Sequence, residues 1–195
     1  SLLSEKHPTV QSLYAEITSL QAMVGLPKGT EHFMSDLHGE FEAFEHILNN
    51  CSGVIKEKAT LLYQKYMSQE EIEELCTVIY YPQQKIRLLE KQGVVDSFWY
   101  RRTLINLIRL ARLLSSKYTR QEVRRAIPDD YDFVLDELMH SQEDEDKNQH
   151  AYHEKIVDTL VEIGAEKEFI RALSGLIKNL AVARLHVLGD LFDRG

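Results

Sequence analysis

Asp36 and His38 stand two residues apart, a carboxylate and an imidazole that can reach the same ion. Oxygen and nitrogen donors together suit Mn, Fe, Zn, Co or Ni better than Ca. Alone the spacing is weak, because a polar turn that caps a following helix looks the same. A second run, Gly189-Asp190-Leu191-Phe192-Asp193-Arg194-Gly195, adds the rest of a chemistry. Asp190 offers an anionic oxygen able to bridge two metals. Asp193 lies too far along to share that role and suits a carboxylate that orients a ligand histidine from behind. Arg194 has the planar fork that clamps a phosphate through two parallel hydrogen bonds. Gly189 and Gly195 permit close backbone approach. The bland reading is a glycine-bounded turn with a surface ion pair. Finding both runs in one chain favours metal-assisted hydrolysis of a phosphate ester instead.

Such side chains need strands to deliver them. Residues 31–35 read as a short strand running into Asp36, and residues 182–188 as a second strand running into Gly189-Asp190. After the first, residues 40–50 read as a helix with Phe41, Phe44, Ile47 and Leu48 on one face. Strand, polar turn and helix make the βα unit whose strand C-terminal end is the usual ligand position in open α/β sheets. A leading helix is expected over 8–24, with Val10, Leu13, Tyr14, Ile17, Leu20 and Val24 at helical spacing and Gly25, Pro27 and Gly29 ending it.

Between the strands lie about 150 residues that read as almost continuous helix from about 55 to 180. The spacing predicts helices over 68–80, 83–92, 97–116, 119–126, 130–140, 148–163 and 166–180, punctuated by Pro82, Gly93, Pro128 and Gly164. Ser68 with Glu71, and Thr119 with Glu122, fit capping boxes. Residues 141–148 read as an acidic loop, and no internal repeat is visible. The expected architecture is α/β, with a partial core from residues 1–54 and 181–195 and a helical insertion over 55–180.

Bulk properties set limits. The chain has 195 residues, 44% hydrophobic and 28% charged, which excludes global disorder. A formal net charge of −8 argues against nucleic acid as a partner, although metal ions can make an acidic chain receptive to an anionic substrate. Two cysteines, Cys51 and Cys76, lack zinc-site spacing and are too few for a disulfide scaffold, so a reduced cytoplasmic protein is expected. No apolar run approaches a bilayer span, so no membrane partner is expected. The chain starts without Met, meets charge too early for a signal peptide, and stops inside a strand-to-loop transition. These ends are read as marks of a piece of a longer protein.

The two runs resemble the calcineurin-like metallophosphoesterases, whose pattern is Asp-x-His, then Gly-Asp-x-x-Asp-Arg, then Gly-Asn-His-Asp/Glu and further histidines. Only the first two blocks are present. The long helical gap, with the lead-in from Gly25-Leu26-Pro27 through Asp36-Leu37-His38-Gly39-Glu40-Phe41, is similar to the bacterial class III fructose-1,6-bisphosphatases. The likeness runs along the whole chain and covers roughly the family's first third. It implies the start of a calcineurin-like sheet, two divalent metal ions (Mn²⁺ as the expected pair), and hydrolysis of fructose 1,6-bisphosphate to fructose 6-phosphate in gluconeogenesis. By resemblance, Asp36 and His38 bind the first metal and Asp190 bridges both. Asp193 would orient a histidine of the missing block, and Arg194 would hold the phosphate. It also implies that residues 1–195 alone have negligible activity, and a homo-oligomer is expected. The rivals are a phosphoprotein or dinucleotide phosphatase of the same fold, and a helical assembly module with vestigial motifs.

Other residues also admit blander roles. His32 and His186 read as packed strand histidines rather than ligands, and His140, His150 and His153 as solvated. Arg101, Arg102, Arg109, Arg112, Lys117, Arg120, Arg124 and Arg125 could hold a second phosphate or a phosphorylated effector. The favoured reading is a solvated face opposite a buried stripe of Leu104, Leu107, Ile108, Ala111 and Leu114. Asp129, Asp130 and Asp132 read as helix-start acids, Phe98, Trp99 and Tyr100 as a core or interface anchor, and Glu70, Glu71, Glu73 and Glu74 as a solvated face.

Overall fold

The computed structural model describes residues 5–140, 147–190 and 192. In chain order its elements are α1 (Val10–Val24), β1 (Glu31–Met34), α2 (Phe41–Asn50), α3 (Val54–Tyr63), α4 (Gln69–Tyr80), α5 (Pro82–Lys91), α6 (Ser97–Ser115), α7 (Arg120–Ala126), α8 (Asp132–His140), α9 (Lys147–Glu162), α10 (Glu166–Ala181) and β2 (Arg184–Val187). The helix α3 is additional to the bounded helices expected from the sequence. The acidic loop shortens, because Lys147 and Asn148 already belong to α9; its residues 141–146 lie outside the described residues. Pro82 opens α5 at its first turn, where the missing N–H is no loss.

Both capping boxes form. Ser68 Oγ accepts the Glu71 N–H at 3.2 Å, and Glu71 returns a carboxylate oxygen to the Ser68 N–H at 2.8 Å. Thr119 and Glu122 do the same at 3.2 and 2.8 Å. A third box, Thr9 with Ser12, starts α1 two residues later than the sequence pattern placed it.

The core lies in the helices between residues 51 and 181. The long helices α6 and α10 pack against each other most extensively. The expected stripe on α6 is buried throughout (Leu104, Leu107, Ile108, Ala111 and Leu114), facing a core that α10 fills with Ile170, Leu173, Leu176, Ile177 and Leu180. Trp99 and Tyr100 are buried as an anchor, whereas Phe98 is exposed. His153, expected in solvent, is buried on α9, so that reading is corrected: its helix face turns toward the body. The basic stretch is less solvated than expected. Arg101 bridges to α9 through Asp158 at 2.6 Å and Glu154 at 2.9 Å. Arg112 Nε donates to the Leu138 carbonyl at 2.7 Å, and Arg120 reaches Asp136 at 3.4 Å.

The two strands form a parallel pair, with Glu31 opposite Arg184 and Met34 opposite Val187. Lys117 roots this pair on the helical body, and Tyr118 and Lys178 brace α10, which leads into β2. Lys117 Nζ donates to Thr30 Oγ1 at 3.0 Å and to the Ala181 carbonyl at 3.5 Å, so it touches the bases of both strands. Tyr118 donates to the Leu180 carbonyl at 3.0 Å. Lys178 Nζ donates to Asn49 Oδ1 at 2.7 Å and to the Tyr80 carbonyl at 2.9 Å, tying α10 to α2 and α4. Burial lowers the pKa of both lysines. Helix α1, by contrast, has no buried residue: its apolar stripe is present but faces outward.

Candidate active site

The strand ladder continues past β1 and β2, because the Leu188 N–H donates to the Met34 carbonyl at 2.8 Å. That bond brings the two strand exits side by side. Asp36 Oδ1 then accepts the Asp190 N–H at 2.9 Å. In return the Asp190 carbonyl accepts the N–H groups of Leu37 at 2.8 Å and His38 at 3.3 Å. The Asp190 peptide is thus held on both sides by the Asp36–His38 turn, across 154 residues of sequence.

Gly189 makes this approach possible. A Cβ at that position would lie 2.0 Å from Asp36 Oδ1 and 2.8 Å from the Asp36 nitrogen, closer than any real contact. The turn also carries strain at His38, a non-glycine residue with φ of 46°, followed by Gly39 at 73°. A left-handed histidine costs on the order of 1 kcal/mol and persists only where its surroundings impose it, which is common where function sets the geometry. The result places His38 Nε2 3.9 Å from Asp36 Oδ2, with both side chains about half exposed to solvent.

These donors fit a cation. Asp36 gives one oxygen to the Asp190 amide and keeps Oδ2 directed to the same side as the imidazole. Two donors that each sit about 2.1 Å from an ion can be this far apart. Among the described residues no group of three or more His, Cys, Asp or Glu is gathered to hold a metal. The structure therefore brings Asp36 and His38 together by side chain and joins Asp190 to them by backbone. Asp193 and Arg194 lie outside the described residues.

His186 is a packed strand histidine, as expected, and the element it faces is the neighbouring strand. It stacks on Phe33, centroids 4.6 Å apart, and pairs with Glu31 at 3.1 Å across the strands. His32, half-buried, lines a recess between the strand pair and α2 beside Cys51 and Lys178. The sequence reading placed Lys117 in the basic stretch, whereas it holds the strand bases, and it did not single out Tyr118 or Lys178, which brace α10. A lysine on the apolar face of α10, at the spacing of its buried residues, was the available signal for Lys178.

The family model for Firmicute fructose-1,6-bisphosphatase matches residues 1–195. The chain belongs to that family. Among curated relatives of this class 3 fructose-1,6-bisphosphatase family, it is 47% identical over 194 residues to "Fructose-1,6-bisphosphatase class 3 1" of Clostridium beijerinckii. It is equally similar to the class 3 enzyme of Clostridium acetobutylicum, and 46% identical to that of Clostridium novyi. Each alignment covers 100% of this chain and 29% of the relative. No solved structure matches the chain. The resemblance read from the two motifs and their helical separation is thereby borne out at the level of family.

Proposed function

We propose that the chain supplies the first half of a dinuclear metal centre that hydrolyses fructose 1,6-bisphosphate to fructose 6-phosphate and phosphate, a step of gluconeogenesis. The observation that carries this reading is the Asp36 carboxylate bonded to the Asp190 peptide across adjacent parallel strand ends. Family membership supplies the substrate: the relatives are named fructose-1,6-bisphosphatases, and the chain spans 29% of their length. In this reading β1 and β2 open a calcineurin-like sheet, residues 1–54 and 181–195 belong to its core, and residues 55–180 are the helical insertion.

Asp36 and His38 would hold one divalent cation, and Asp190 would reach both. Mn²⁺ is the proposed metal, consistent with a mixed oxygen and nitrogen donor set. When bound, the pair of cations supplies a water of lowered pKa and neutralises the phosphoryl oxygens. The chain's own residues set the spacing: the Asp190 peptide cannot shift without breaking its bonds to Asp36, Leu37 and His38. Asp193 is assigned to orienting a histidine and Arg194 to clamping the phosphate, both by motif. Among the described residues no helix is long and apolar enough to cross a membrane, and a cytoplasmic homo-oligomer is proposed.

The test is phosphate release from fructose 1,6-bisphosphate by the protein at the full length of its relatives, with Mn²⁺. Asp190→Asn should lower kcat by on the order of 100-fold or more. Equal or faster turnover of phosphopeptides or dinucleotides would assign the site to another substrate.

A further inference from the structure

Helix α1 carries an apolar face with nothing on it. Val10, Leu13, Tyr14, Ile17, Leu20 and Val24 recur at helical spacing, so they form one stripe, more than about 100° wide. All six are exposed, from 39% at Leu13 to 87% at Val24, and no residue of the helix is buried. The rest of the helix is not built for water either. Glu16 is the one charged residue among its 15, in a chain that is 28% charged. Ser12, Ala15, Ser19 and Ala22 make the opposite face small and uncharged. Helices of about 12–15 residues are marginal in water and hold through the packing of an amphipathic face. The capping box at Thr9 fixes one end of α1 and leaves that face uncovered. The exit of the helix is seated. A Cβ at Gly29 would lie 2.5 Å from Ala183 Cβ, and the Ala183 N–H donates to the Thr30 carbonyl at 2.8 Å. The helix is therefore tethered beside the strand bases by residues 25–28. An open groove of about 870 Å³ lies there, lined by Met23, Val24 and Leu26 from α1 and its exit and by Tyr118, Leu180 and Ala183 from the body.

We infer that the α1 stripe and this groove seat an apolar face from the part of the same polypeptide that follows residue 195. Two observations choose this occupant. The chain matches the first 29% of its relatives, so more than two-thirds of their length lies beyond it and can supply the cover. A second copy fits less well. A stable interface between separate chains takes about 20–30 residues a side, and the stripe offers six side chains. Six suffice when the partner is on the same chain, because the linkage holds it at a high effective concentration. The inference rests on α1 and on family membership, whichever substrate the strand exits serve.

Photo-crosslinking of the protein at the full length of its relatives tests it. On irradiation, Tyr14→p-benzoylphenylalanine should give a product of monomer mass on a denaturing gel, with the linked peptide beyond residue 195. The same probe at Ser19 should give about tenfold less of it, because that position points away from the stripe. Adding Ile17→Glu and Leu20→Glu should remove the Tyr14 product, with circular dichroism checking that the body stays folded. A product mainly of dimer mass would make the stripe an interface between copies and overturn the inference. So would links confined to residues 5–195, no product at all, equal yield from Ser19, or a product that survives the paired substitution.

Discussion

A methyl group at residue 189 has nowhere to go, since Asp36 Oδ1 would lie 2.0 Å from it. Gly189→Ala should push the Asp36 carboxylate off the Asp190 amide. The expected cost is about 1–3 kcal/mol of stability, the usual range for overpacking a tight contact. Hydrogen exchange at the Asp190 amide reads the change directly: wild-type protection that survives the substitution would show the contact to be dispensable. The cysteines make a second residue-scale case. Burial pushes both Cys51 and Cys76 up to about 11, so at pH 8 almost no thiolate is present. Both should react with a maleimide orders of magnitude more slowly in the folded chain than in denaturant, and rapid labelling of either would contradict its burial. At this scale the sequence was most readable at the two strand exits. Asp36, His38, Gly189 and Asp190 all stand where the two motifs put them, whereas the buried position of His153 depends on which helix packs over it.

Among the elements, helix starts were the most legible feature, because a capping box is a local exchange between a hydroxyl and a carboxylate three residues apart in a helix's first turn. Thr119→Ala should destabilise the protein by about 0.5–2 kcal/mol. The pH dependence follows from Glu122, whose pKa is lowered chiefly by the Thr119 backbone N–H and then by its side chain. A carboxylate with a folded pKa below its unfolded one stabilises the fold above the unfolded value and loses that contribution as pH falls through the folded value. The stability gap between wild type and Glu122→Gln, measured by urea denaturation, should therefore close on acidification below the ordinary carboxylate range. A gap that stays constant to acid pH would remove the capping carboxylate from the account. Strand bounds were less legible. Residues 182–188 are apolar enough to read as one strand, whereas β2 spans Arg184–Val187, and single hydrogen bonds from Ala183 to Thr30 and from Leu188 to Met34 carry the pairing just past each end. Which face of α1 would be covered was not readable either, since periodicity locates a stripe without naming what meets it.

At the level of the whole molecule, the helical body is well filled while α1 and the strand pair present apolar side chains to water. Tyr14, Val24, Phe33, Phe41 and Leu188 are each more than 60% exposed. Exposed apolar surface on this scale drives association. Sedimentation of the 195-residue chain should show concentration-dependent self-association, reduced by paired Ile17→Glu and Leu20→Glu substitutions on α1. A monomer at all concentrations would mean that this surface is tolerated in isolation. The same view of the molecule gives a meaning to the junction where Cys51 Sγ lies 3.7 Å from the Lys178 carbonyl. The helical body enters and leaves the sheet region at neighbouring points, so it is a large bulge with a narrow neck. Length or sequence can change inside such a bulge without altering the distance the neck must span. Evolution can therefore remodel the interior of the helices while the two strand exits keep their register.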